Sequence, residues 1–278
     1  MTRRAARCLL SCLALAGCGS APAAAPIDEK LGRLGHAGDI AYTLEDPGQA
    51  AEQYRAALAR ARERDDPAAI ADIGFNLAAA ELRGDHPAAA IRTVQQVRGE
   101  LARRGIADPG LDLITATALF RQGNRADADR VAAGLTGGPP PLADSAWFLR
   151  GLLADARNDR AGLQRAAAAL SPAADAGDRA ELQARITHDP GLALHAADLR
   201  RDALDYRGMA RALALAAQAS PDPARAADLF LRAGRSAAAQ HDTAQARTWL
   251  AQARQRAPGP ALRAEAGQAL AALPSSAR

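Results

Sequence analysis

Side chains able to act as nucleophiles or metal ligands are few in this 278-residue chain, and they are badly spaced for either task. The three cysteines, Cys8, Cys12 and Cys18, all stand within the first eighteen positions. The histidines are His36, His86, His188, His195 and His241. None lies in a His-Glu-x-x-His pair, the spacing that aims two imidazoles at one metal. His188 and His195 are spaced to share a helical face, but Asp189-Pro190 breaks a helix between them. No serine sits in Gly-x-Ser-x-Gly or Ser-x-x-Lys, and Lys30 is the only lysine. There is no phosphate loop and no dinucleotide fingerprint. Carboxylate pairs such as Asp65-Asp66 fall at a repeat boundary, where they would cap a helix. The expectation is a protein that is not an enzyme, with no catalytic residue, no metal and no dissociable cofactor.

The chemistry that the first residues do support is acylation. Arg3, Arg4 and Arg7 form a basic start, an apolar run from Cys8 to Leu15 follows, and small residues lead to Cys18. This is the layout of a secretory signal, and the run is too short to span a bilayer. Leu15-Ala16-Gly17-Cys18 resembles the lipobox of bacterial lipoproteins. The resemblance implies a diacylglycerol on the Cys18 thiol, cleavage before it and an N-acyl chain on the new amine. Residues 1–17 are then the signal peptide and 18–26 a lipidated, flexible tether. The competing reading is an ordinary signal with an Ala-x-Ala-like cut. Gly19, rather than Asp, follows the cysteine. By resemblance this points to the periplasmic face of the outer membrane, with the outer leaflet of the plasma membrane as the alternative. Several acyl chains anchor stably where one does not.

Loss of residues 1–17 removes three arginines and no acid, so the formal charge falls from +4 to +1. Arginines and acids alternate thereafter, as on solvated helix faces. No clustered basic face marks a nucleic-acid binder, and none is expected as a partner. Aromatics are only 3% of the chain and alanine dominates. That composition suits thin layers of closely packed helices better than a thick core, and alanine has the best helix propensity.

Turn-like pairs recur ahead of apolar helical stripes at Asp46-Pro47, Gly84-Asp85, Gly123-Asn124, Asn158-Asp159, Leu204-Asp205 and His241-Asp242. Most of the spacings lie near the tetratricopeptide period of about 34 residues. Eight residues before the marks stand Gly38, Ala116, Gly151, Ala197 and Gly234. Eight after them stand Tyr54, Ala132, Ala167, Leu213 and Leu250. The second repeat fits if one residue is inserted in its turn, giving Ala78, Ala90, Val94 and Val97. A small residue facing a stripe of this kind resembles the tetratricopeptide repeat. The expected fold is all-α: a tetratricopeptide-like solenoid over 27–273 with about six helix pairs and a C-terminal capping helix at 260–273. Joints are expected near 137–141, "GGPPP", and 171–190, where 178–188 forms an extra helix. A two-lobed arrangement is the alternative to a continuous array, and 274–278 is a disordered tail.

In tetratricopeptide arrays the first helix of each repeat lines the inner groove. The positions carried over are Leu113, Thr117 and Phe120; Phe148, Leu152 and Asp155; Leu194 and Asp198; and Leu231 and Arg235. The same apolar residues could instead pack between neighbouring repeats. The basic-plus-asparagine clamp of chaperone-binding relatives is absent. An apolar groove with a few charges suits an amphipathic helix or extended segment. The expected role is a membrane-anchored scaffold or adaptor for other envelope proteins or peptides. In layout it resembles pilotins, outer-membrane assembly subunits and organisers of cell-wall enzymes. A carrier for a lipid or small apolar ligand is the alternative, and a degenerate envelope enzyme a third reading.

Overall fold

The computed structural model describes residues 28–274. The signal, Cys18, the tether and residues 275–278 lie outside the described residues. Fourteen α-helices and no strand fill the described span. Six helix pairs follow the expected repeats. They are α1 (Glu29–Thr43) with α2 (Pro47–Glu63), α3 (Pro67–Arg83) with α4 (Pro87–Ala102), and α5 (Gly110–Arg121) with α6 (Arg125–Ala133). Then come α7 (Pro140–Asp155) with α8 (Arg160–Ala169), the unpaired α9 (Ala176–Thr187), and α10 (Pro190–Asp202) with α11 (Tyr206–Ala219). Finally α12 (Pro223–Ala239) pairs with α13 (Thr243–Arg256), and α14 (Pro260–Ala271) closes the end.

One local device builds all six intra-pair turns. The first helix ends in a residue with positive φ: Glu45, Asp85, Gly123, Asn158, Leu204 or His241. The next residue's N–H reaches back to a carbonyl in the last turn, as in Asp46 to Ala41 at 2.9 Å, His86 to Glu81 at 2.8 Å and Asp242 to Ala237 at 2.9 Å. This is the Schellman arrangement, which satisfies the orphan carbonyls of a helix end. That same next residue caps the following helix. The side chains of Asp46, Asn124, Asp159, Asp205 and Asp242 each accept a backbone N–H three residues on.

The second repeat corrects the sequence reading. Its cap is His86, not Asp85, and no residue is inserted. His86 makes no side-chain capping bond, so the usual polar signature is missing there. A further irregular connection, 103–109, joins the second and third pairs, with Gly105 at φ 69°.

Small residues let the paired helices meet closely. A Cβ on Gly234 would lie 2.6 Å from Leu250 Cγ. Gly151 is different: it receives Leu182 of α9, with a Cβ contact of 2.7 Å, so the extra helix docks on α7. The chain from 170 to 175 that leads to α9 is held by buried Asp144. Asp144 accepts the Ser171 N–H at 2.8 Å and the Ser171 hydroxyl at 2.7 Å. Buried apolar residues form one large cluster over α1–α5 and another over α9–α14. Two small clusters connect them through α5–α9.

Candidate binding surface

The stripe carried over from the sequence does not form one open groove. Leu152 is 6% exposed and Leu231 2% exposed, both inside apolar clusters. These two are core residues, which corrects their assignment to a groove. Phe148 lies under two guanidinium groups, Arg200 at 5.0 Å and Arg211 at 5.4 Å from the ring centre. Phe120 is packed against both middle clusters and Leu194 against the C-terminal one. Leu113 and Thr117 are half-buried, and the Thr117 hydroxyl donates to the Leu113 carbonyl at 2.9 Å. Asp155 pairs with Arg185, Asp198 with Arg201 and Arg235 with Glu265. The physical reason is the alanine content. Second helices this thin leave space between neighbouring pairs, and the large side chains of the first helices fill it.

A buried charged node occupies the joint around α9. Glu181 is fully buried and holds three arginines. Arg211 donates to it through Nε at 2.6 Å and Nη2 at 2.9 Å, Arg185 at 2.9 Å and Arg200 at 3.1 Å. Burial alone would raise this carboxyl, but Arg211, Arg185 and Arg200 hold it well below the usual carboxylate range. Arg200 also reaches Asp178 at 2.6 Å and Asp205 at 2.9 Å. Burial pushes Asp178 up to about 6, against the pull of Arg200. The node ties α9, α10 and α11 together. Among the described residues, no three of His, Cys, Asp and Glu come together to hold a metal ion.

The open surface of interest lies instead where the two ends of the array meet along their turns. Gln240, after α12, donates from Nε2 to Glu45 Oε2 at 3.1 Å across 195 positions. Arg207 of α11 donates to the Arg83 carbonyl at 3.3 Å and stands 3.7 Å from Asp85. A cavity of about 970 Å³ opens beside this seam, lined by Glu45, Asp46, Arg55, Glu81, Asp85, His86 and His241 among others. A second, of about 390 Å³, shares Glu45 and is lined by Thr43, Leu204, Tyr206 and Gln240. Exposed Leu204 (55%) lines it, and exposed Leu44 (75%) stands in the chain between its lining residues Thr43 and Glu45. Sequence reasoning missed this surface. Its one legible signal is Leu204, a bulky residue in a turn slot that elsewhere holds Glu, Asp, Gly, Asn or His.

No family model matches the chain, and no curated protein matches it. Among solved structures it is similar to a tetratricopeptide repeat protein from Parabacteroides merdae ATCC 43184, with 15% identity and a TM-score of 0.46. That similarity covers 88% of this chain and 100% of the other. It is also similar to the TPR2AB domain of yeast Sti1 in complex with pHSP90, with 15% identity and a TM-score of 0.35 over 87% of this chain and 98% of that one. The chain is an all-α, tetratricopeptide-like helical-repeat solenoid, a class defined here by its own helix pairs, shared turn geometry and small-on-large packing.

Proposed function

We propose that the protein is a non-enzymatic scaffold that holds other envelope proteins or peptides, anchored through acylated Cys18 at the periplasmic face of the outer membrane. The lipobox resemblance supports the anchor and the address. The observation that carries the binding role is the seam cavity with Leu44 and Leu204 beside it. Exposed apolar side chains next to a cavity with charged residues at its edge are the makings of a protein contact, with apolar anchors and a polar rim. A segment of a partner protein docks there, reading the backbone and carboxylates of the turns. The half-buried Leu113 and Leu194 and the exposed Asp198 and Arg235 of the stripe are available to extend the contact. The charged side chains around the larger cavity, Glu45, Asp46, Arg55, Glu81 and Asp85, do not favour a lipid carrier.

The test is affinity purification of the tagged, anchored protein from solubilised envelopes. The wild-type chain is expected to retain a protein partner that the Leu44→Asp, Leu204→Asp variant loses. Cys18→Ser is expected to move the protein from the membrane to the soluble fraction. Equal retention by both chains would remove the seam from the account.

A further inference from the structure

We propose that the seam is a latch, and that the protein alternates between a closed form, in which the last turns touch the first, and an open form in which they part. The proposal deepens the scaffold reading, because both ends line the cavity assigned to the partner and parting them would divide it. The latch itself stands on separate observations.

The first is the division of the core. The cluster over α1–α5 and the cluster over α9–α14 share no residue, and none of the apolar residues packed around either comes from the other end. What bridges the ends is polar: Gln240 to Glu45, and Arg207 to the Arg83 carbonyl and Asp85. Such contacts at a partly solvated surface are weak and screened by salt.

The second is that each bridging charge already has a partner on its own side. Glu45 holds Arg83 at 2.8 Å. Arg207 holds Asp242 at 2.7 Å and the Gln240 carbonyl at 3.0 Å. Parting the seam therefore strands neither of these charges, and water replaces what is lost.

The third is a like-charge approach. Arg121, which donates to the Leu82 carbonyl, is half-buried and lies within the field of Arg207. Burial, and then the Arg207 charge, bring Arg121 down to about 10. Closure thus sets two guanidinium groups against each other, with Asp85 and Asp242 as counter-charges. The small clusters over α5–α9 join the two large ones, and in the proposal this thinner middle of the array is where it flexes.

The test is pulsed electron resonance on the full chain, with Cys8, Cys12 and Cys18 replaced by serine and spin labels placed at Thr43→Cys and Ala239→Cys. Both positions line the same cavity. Two distance populations are expected at low salt. The longer should grow in 1 M salt, and Arg207→Ala should raise its share relative to the shorter by about tenfold. Circular dichroism establishes that helicity is unchanged. One distance, unmoved by salt, by Arg207→Ala and by Gln240→Ala, would overturn the latch. No partner is present in this experiment, so its failure leaves the scaffold reading standing, and failed capture leaves the latch standing.

Discussion

Gly38 faces Tyr54 so closely that a Cβ on the glycine would stand 2.5 Å from the ring Cε1. The tyrosine hydroxyl then donates to Asp39 at 2.7 Å, which fixes the ring across the first helix pair. Gly35, one turn earlier on the same helix, has nothing within 4 Å of where a Cβ would be. Gly38→Ala is therefore expected to cost about 1–3 kcal/mol through overpacking. Gly35→Ala should stabilise by up to about 1 kcal/mol through helix propensity. Urea unfolding followed by circular dichroism checks both, and equal effects would contradict the packing account.

This relationship shows what was legible beforehand. Gly38 and Tyr54, and Gly234 and Leu250, carry a pattern that one register finds, because a small residue facing a large one is local chemistry repeated. The turns marked by Asp46, Asn124, Asp159, Asp205 and Asp242 were equally plain, although their capping bonds appear only in the structure. His86 was shifted by one because histidine leaves the cap without its usual oxygen. The stripe was misjudged at Leu152 and Leu231 because periodicity tells which residues share a helix face, not whether a neighbour covers that face. The seam's one signal was Leu204, a bulky residue in a turn slot. Glu45 and Gln240 are ordinary polar residues until the curvature of the whole array brings them together.

Leu204 holds φ 58° and Gly123 holds φ 79° in the same turn slot. The left-handed region costs a non-glycine residue roughly 1–2 kcal/mol. Leu204→Gly is expected to raise the urea midpoint, worth about 1 kcal/mol, while weakening partner retention. Gly123→Ala should lower stability by about the same amount, since nothing else crowds it. A Leu204→Gly chain that is less stable than wild type would mean that the leucine is held by packing rather than kept for contact.

Glu181 is the common acceptor for three arginines, two of which, Arg185 and Arg200, already have an Nε without a partner. Glu181→Gln removes the only fully buried negative charge in the node and leaves the guanidinium groups facing one another. The expected loss is about 3–5 kcal/mol. A loss under about 1 kcal/mol in urea unfolding would mean that the arginines are held by their other partners.

Asp178 gives the node a pH dependence. Its folded pKa, about 6, lies above the ordinary value of 3.8. The folded chain thus holds this proton more tightly than the unfolded chain. The resulting stability is present below about pH 4 and is lost as pH rises through about 6. Glu181, whose folded pKa is lowered, acts in the opposite sense, and its stabilisation is lost as pH falls. Asp178→Asn removes the first effect and leaves the Glu181 carboxylate with its three arginines. Relative to wild type, the variant should gain in thermal midpoint between pH 4 and pH 7. A difference that stays flat across that range would contradict the assignment.

The central claim is that partners dock at the seam, and site-specific photo-crosslinking in the native envelope tests it most directly. Amine reagents suit the chain poorly, because Lys30 is its only lysine. Probes belong at Leu44 and Leu204, with Leu113 for the older stripe and exposed Arg130 as the control. The account predicts the same partner protein captured from Leu44 and Leu204 and not from Arg130. Capture from Leu113 alone, with Leu44 and Leu204 silent in a folded and anchored protein, would contradict it.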